Sequence, residues 1–148
     1  MEIKEFWKSW KNKSKIEKIA IESIYRAVDF LFESIPKEKI ISVYIKGSFV
    51  TREMTRKSDV DILPILDNRK TMQKLKTIRN KNKDMLKPSE LLPMSYTEFK
   101  QKNRSWGRAD TFLRDLEHHA WIYGKKLSNL DYPMRKWVEM FEEDFIIL

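Results

Sequence analysis

The sequence predicts an α/β fold, or α+β by stricter accounting, in which helices flank a small mixed β-sheet. Two segments have the composition of strands: apolar residues alternate with others over Ile40–Lys46, and apolar residues dominate again over Asp59–Leu66. Over Lys15–Ser34, apolar residues recur every three or four positions, as in an amphipathic helix. At 148 residues the chain has the length of one domain, so we expect residues 1–148 to form a single unit.

The helix over Lys15–Ser34 ends before Pro36, and its apolar stripe is expected to pack on the sheet. The stripe consists of Ile16, Ile19, Ala20, Ile24, Ala27, Val28 and Leu31. Residues 1–14 before it form an aromatic and basic segment with Phe6, Trp7 and Trp10. This segment either packs onto the domain, which we favour, or docks onto another chain.

The second strand segment carries two aspartates one residue apart. Side chains alternate along a strand, so Asp59, Asp61 and Leu63 are predicted to share the face opposite Val60, Ile62 and Pro64. Two carboxylates held side by side near a core are unfavourable, because each opposes the ionisation of the other. A divalent cation between them removes that cost.

A Gly47–Ser48 pair closes the first strand, and residues 49–58 separate it from the Asp59-Val60-Asp61 triplet. This spacing resembles the signature of the DNA polymerase β-type nucleotidyltransferase superfamily. More narrowly, the chain resembles the minimal nucleotidyltransferases, small proteins that include antitoxins. The resemblance implies a polymerase β-like nucleotidyltransferase fold.

The resemblance also implies roles for the motif residues. Gly47 and Ser48 would cradle the triphosphate of a nucleotide at a tight turn and helix start. Lys46 or Arg52 would contact phosphate. Asp59 and Asp61 would bind Mg²⁺, with two ions supporting attack on the α-phosphorus and release of pyrophosphate.

A third strand is predicted over Glu90–Met94, within a stretch bounded by Pro88 and Pro93 and therefore at a sheet edge. In the superfamily, a third carboxylate comes from such a strand. Glu90 is the candidate for this catalytic and metal-binding acid, although the family's usual residue is an aspartate between apolar neighbours. The alternative is an exposed structural glutamate.

Between these strands, residues 67–87 are strongly basic around a thin apolar stripe of Met72, Leu75, Ile78 and Met85. Such a segment either steers a polyphosphate or RNA, or is simply a solvated helix face, which is the commoner case. No aromatic residues interleave with the basic ones, so base stacking is not favoured.

Residues 109–148 are predicted to form C-terminal helices. Asp110 would cap the first, Gly124 would end it, and its buried stripe would be Phe112, Leu113, Leu116, Ala120 and Tyr123. Asp131 would cap the last, whose aromatic stripe is Met134, Trp137, Val138, Phe141 and Phe145. That stripe belongs either to the core or to a homodimer or partner interface.

Composition narrows the classes of protein. The formal net charge of +8 suits polyanionic ligands such as a nucleoside triphosphate, a nucleic acid or an acidic partner. Without cysteine there is neither a disulfide nor a thiolate metal site. His118 and His119 are adjacent, so on a helix they diverge by about 100° and do not suggest a metal site. A charged start and no long apolar run predict a cytoplasmic protein without membrane segments.

Together these features favour a Mg²⁺-dependent nucleotidyltransferase that transfers AMP from ATP to an acceptor on another macromolecule. Proteins that resemble this one often act as antitoxins beside a HEPN-domain toxin, which implies such a partner here. One alternative is a small-molecule nucleotidyltransferase with a dimeric acceptor site. Others are a catalytically lapsed domain that binds nucleotide or RNA, and a plain nucleic-acid-binding module.

Overall fold

A mixed five-stranded sheet forms the centre of the computed structural model, which describes residues 2–97 and 119–127. The elements in chain order are α1 (Lys15–Ser34), β1 (Ile40–Lys46), α2 (Ser48–Thr51), β2 (Val60–Leu66), α3 (Arg69–Asn80), α4 (Lys83–Leu86), β3 (Ser89–Leu91), β4 (Met94–Ser95) and β5 (Ala120–Gly124). The strand order is β3-β2-β1-β5, and β4 also pairs with β2. The predicted fold class is confirmed.

Helix α1 has the predicted bounds because a capping residue, Ser14, marks its start and Pro36 follows its end. Ser14 accepts a hydrogen bond from the Glu17 amide while the Glu17 carboxylate accepts one from the Ser14 amide, a capping box. Its Ala20, Ile24 and Leu31 are fully buried. Ile19, predicted to share this stripe, is instead 46% exposed, since it lies about 100° around the helix from Ala20.

The two predicted central strands, β1 and β2, pair antiparallel, and Lys46 at the end of β1 lies opposite Asp61 near the start of β2. The predicted alternation of buried and exposed residues in β1 gives way to burial of all four residues from Ser42 to Ile45. β1 pairs with β2 and with β5, and successive residues that point to opposite faces are all buried, so this strand is covered on both faces. Tyr44 fits because its hydroxyl accepts a hydrogen bond from the Leu127 amide, 2.8 Å away.

The predicted third strand is divided in two. β3 and β4 both run parallel to β2 and are separated at Leu92 and Pro93. Pro93 has no N–H to donate, so a continuous ladder through it is not available. β3 lies at the sheet edge, as predicted.

The helix predicted to run from Asp110 to Gly124 is wrong at its C-terminal end. Residues Ala120–Gly124 form β5, which pairs antiparallel with β1 and buries Ile122. At Gly124 (φ 79°) the two strands approach so closely that an added Cβ would lie 2.2 Å from the Ile41 carbonyl oxygen. The rest of the predicted C-terminal helices, including the aromatic stripe, lies outside the described residues.

The N-terminal segment packs onto the domain, in agreement with the favoured interpretation. Lys4 donates a backbone hydrogen bond to Ile122 of β5 over 2.7 Å, and Trp7 is only 2% exposed. Phe49 of α2 meets the rings of Phe6, Trp7 and Trp10. None of the helices in the described part of the chain has the length and apolarity that crossing a membrane requires.

Candidate active site

Three predicted site residues lie side by side on three adjacent strands. Asp61 of β2 is in register with Lys46 of β1 on one side and with Glu90 of β3 on the other. Residues paired across strands project to the same face of a sheet, and Asp59 precedes Asp61 by two positions on that face. The structure therefore brings Lys46, Asp59, Asp61 and Glu90 together on one face of the sheet, across the ends of three adjacent strands.

The Gly47–Ser48 turn borders this row on the β1 side. Gly47 has φ 95° and ψ −160°, a conformation available almost only to glycine. A Cβ at this position would lie 3.7 Å from Asp61 Oδ2, so the turn passes directly beside the carboxylate. Helix α2 begins at Ser48 as predicted, although it has only four residues.

The electrostatics of the row depend on its partial burial. Burial raises the pKa of the Asp61 carboxyl above its ordinary value. Lys46 opposes this increase, whereas the Glu90 and Asp59 carboxylates add to it. The two neighbouring carboxylates thus disfavour the charged form of Asp61, which a cation would relieve.

The donor atoms suit Mg²⁺ better than any softer ion, because all of them are carboxylate oxygens. Among the described residues, no three His, Cys, Asp or Glu side chains converge closely enough to enclose an ion. Mg²⁺ in nucleotide sites is typically held by one or two carboxylates, with substrate phosphates and water as the remaining ligands. Asp59 and Asp61 fit that arrangement.

Arg52 does not face this row as a free cation. Its Nε and Nη2 donate to the two carboxylate oxygens of Glu17, each over 2.8 Å, and its Nη1 donates to the Lys11 carbonyl. The guanidinium also lies over the Trp10 ring, 4.6 Å from the centroid. The predicted contact of Arg52 with phosphate stays a prediction, and the structure gives its side chain another partner.

Glu17, which binds the Arg52 guanidinium, was not predicted from the sequence as a residue near the site. It is buried, and the Arg52 hydrogen bond lowers its pKa to about 2. The Ser14-x-x-Glu17 spacing before an apolar run is a recognisable capping box. That signal locates Glu17 at the helix start but does not reveal its partner 35 positions away.

A pocket of about 230 Å³ borders the row on the opposite, β3 side. Its lining combines two acids, three cations and an apolar wall: Asp59, Arg79, Lys83, Leu86, Lys87, Ser89, Glu90 and Leu91. Arg79 also donates to the Leu91 carbonyl over 2.9 Å, which covers part of the edge of β3. The Gly47 turn and this pocket thus flank the carboxylates on opposite sides.

The basic segment forms α3 and α4. Met72 and Leu75 of the predicted stripe are buried, but Met85 is 50% exposed and Leu86 is buried in its place. Most of the basic side chains are exposed, which agrees with a solvated face. Only Arg79, Lys83 and Lys87, among the described cations of this segment, line the pocket.

Comparisons with known proteins agree with this architecture. The family model described as "Nucleotidyltransferase domain" matches residues 21–117, well over half of the chain. The chain therefore belongs to the nucleotidyltransferase domain family, and it is a nucleotidyltransferase. Among curated proteins, none is significantly similar in sequence.

Two solved structures resemble the chain loosely. A candidate nucleotidyltransferase from Sulfolobus solfataricus is 17% identical, with a TM-score of 0.49, over 81% of this chain and 96% of that one. A toxin–antitoxin structure with AMP-PNP is 14% identical, with a TM-score of 0.42, over 82% of each chain. TM-scores below 0.5 leave both likenesses too loose to carry an argument about function.

Proposed function

We propose that the protein transfers AMP from ATP to an acceptor hydroxyl, with Mg²⁺ bound by Asp59 and Asp61. The observation that carries this proposal is the row in which Asp61 stands between Lys46 and Glu90, with Gly47 beside its carboxylate. Within a nucleotidyltransferase, these groups supply what phosphoryl transfer needs: positioning and neutralisation of negative charge.

The donor lies on the β1 side of the row. The backbone at Gly47 and Ser48 approaches the triphosphate closely, because no side chain intervenes at Gly47. Lys46 is paired with Asp61 across β1 and β2 and is suited to a non-bridging phosphate oxygen. Both features fit a polyanion better than an uncharged ligand.

Asp59 and Asp61 would hold the metal, and Glu90, paired with Asp61 across β2 and β3, is the proposed third acid. When bound, Mg²⁺ neutralises charge on the phosphates and favours the ionised form of the acceptor hydroxyl. That hydroxyl loses its proton to solvent, its oxygen bonds to the α-phosphorus, and the bond to the oxygen that bridges to the β-phosphate breaks. The products are the adenylylated acceptor and pyrophosphate.

The acceptor enters on the β3 side. In an in-line displacement, the attacking and leaving oxygens stand on opposite sides of phosphorus. Pyrophosphate leaving towards Gly47 requires attack from the side of Glu90, where the pocket opens.

For the acceptor itself, we propose a hydroxyl of a HEPN-domain partner protein. This part rests on the resemblance of Gly47–Ser48 and Asp59–Asp61 to the minimal nucleotidyltransferases. A small-molecule acceptor is the second candidate: a pocket of about 230 Å³ adjoins Glu90, and because typical ligand pockets span about 300–1,000 Å³, it would admit only a small acceptor.

The test is transfer of label from α-³²P-ATP with Mg²⁺ to the protein itself and to the product of any adjacent reading frame. We expect label with the wild type and none with the Asp59→Asn/Asp61→Asn double variant. Metal-dependent ATP binding with no labelled protein would exclude a protein acceptor and favour a small molecule. Label that survives in the double variant would exclude the proposed metal site.

A further inference from the structure

The Gly47–Ser48 turn continues into a loop that is held in place from outside the site. Helix α2 has four residues, too few for a helix to be stable by itself. Arg52 ends it in the left-handed conformation (φ 60°, ψ 36°), which is unfavourable for a residue with a side chain. With Gly47 at the other end, both ends of this segment occupy sparsely populated backbone conformations. Such conformations persist only where surrounding contacts enforce them.

Those contacts come from the N-terminal part of the chain. Both carboxylate oxygens of Glu17 accept hydrogen bonds from Arg52, each 2.8 Å from a guanidinium nitrogen. The Glu17 side chain is 8% exposed, and it is oriented in turn by the Ser14 amide, 2.9 Å away. A two-point guanidinium–carboxylate pair fixes orientation as well as distance.

Aromatic packing reinforces the ion pair. Trp10 contacts both the Arg52 guanidinium, 4.6 Å from its ring centroid, and the Phe49 ring, with centroids 5.0 Å apart. Phe49 is completely buried and is the second residue of α2. The helix that follows the Gly–Ser turn is therefore attached to the N-terminal segment at both Phe49 and Arg52.

We infer that Glu17, Arg52 and Trp10 form a clamp that preorganises the Gly47–Ser48 turn for the phosphates of the donor nucleotide. They are positioning residues, since the contacts of the Arg52 side chain are to Glu17, Lys11 and Trp10. The inference rests on the proposed function, because it presumes that the donor binds at this turn. Without the clamp, the binding-competent turn becomes a fraction of the population, and the apparent affinity falls by that fraction.

The test measures Mg²⁺-dependent binding of α,β-methylene-ATP, which does not react, by titration calorimetry well below each melting temperature. We expect Arg52→Lys and Glu17→Gln each to weaken binding about tenfold. The Glu17→Gln/Arg52→Lys double variant should bind the analogue no more weakly than the weaker-binding single variant, because each substitution removes the same interaction. Ile24→Val is the control: it removes a methyl group from the core of α1, lowers the melting temperature, and should bind as the wild type does.

Trp10→Phe keeps an aromatic ring and gives a second measure if an ion-pair variant does not fold. We expect it to bind about threefold more weakly than the wild type. Ion-pair variants that melt at lower temperatures but bind the analogue with wild-type affinity would overturn the clamp and leave the proposed function intact. No Mg²⁺-dependent binding by the wild type would overturn the proposed function and the clamp with it.

Discussion

Asp61 and Glu90 occupy paired positions on the adjacent parallel strands β2 and β3, so two carboxylates face the same side of the sheet. Glu90 is one of the groups that raise the pKa of Asp61. A pair of acids in this position is unfavourable in the absence of a cation. This pairing supports the proposed part of Glu90 in metal binding.

Glu90→Gln tests that assignment. We expect the variant to transfer AMP about 10- to 100-fold more slowly and to need more Mg²⁺ for half-maximal rate, because one ligand charge is lost. The measurement is the transfer rate as a function of Mg²⁺ concentration. Glu33→Gln, on the exposed face of α1, is the matched control. A Glu90→Gln variant with an unchanged Mg²⁺ dependence would assign Glu90 to the surface instead.

Lys46 is expected to contact a donor phosphate. Lys46→Gln should raise the KM for ATP about tenfold, because a charge-assisted hydrogen bond is lost, while Lys46→Arg should retain most of the affinity. Steady-state kinetics at several ATP concentrations measure this. Lys39→Gln, an exposed lysine at the other end of β1, serves as the control. Equal KM values for the two glutamine variants would argue against the contact.

Two glycines with positive φ should separate effects on the site from effects on the fold. Gly47→Ala places a methyl group in ordinary van der Waals contact with Asp61 Oδ2, at 3.7 Å, but strains the backbone, at a cost of about 1–3 kcal/mol, and should weaken nucleotide binding. Gly124→Ala drives a Cβ into the Ile41 carbonyl, so it should cost more than about 3 kcal/mol without altering any site residue. Urea unfolding and nucleotide titration of both variants provide the comparison. The reverse ranking of the two stabilities would contradict the geometry.

The Glu17–Arg52 pair predicts a particular acid sensitivity. Arg52 holds the pKa of Glu17 at about 2, below its ordinary value of 4.5, so the folded state binds this proton more weakly than the unfolded state. The stabilisation is therefore complete above about pH 4.5 and is lost as the pH falls towards 2. Urea titrations measure the free energy of unfolding of the wild type and of Glu17→Gln. The difference between the two should be smaller at pH 3 than at pH 6. A difference independent of pH would mean that Glu17 acts without its charge.

The sequence predicted the local features of the fold well. Helix α1 and strand β1 have the predicted bounds, and β2 begins one residue later than predicted, because their periodicities and flanking stop signals are local. Ala120–Gly124 was assigned to the wrong element type, since short apolar runs fit a helix or a strand equally well. This segment is a strand because it pairs with β1, about 80 positions away along the chain.

The site shows the same contrast between local sequence signals, which were predictable, and contacts between distant residues, which were not. The spacing of Gly47–Ser48 and Asp59–Asp61 identified the residues that the sheet brings together. The partner of Arg52 could not be predicted, because Glu17 lies 35 positions away along the chain and meets it only in the folded protein. The neighbourhood of Lys46 and Asp61 likewise follows from strand register, which the sequence does not specify by itself.

In the proposed reaction, the α-phosphorus of ATP is attacked at the row formed by Asp59, Asp61 and Glu90. The most direct measurement compares α-³²P-ATP with γ-³²P-ATP in reactions containing the protein, Mg²⁺ and the acceptor. We predict that α-label appears on the acceptor, that γ-label appears only in pyrophosphate, and that Asp61→Asn abolishes both. Transfer of γ-label to the acceptor, or α-label transfer that persists in Asp61→Asn, would show that this row does not direct attack at the α-phosphorus.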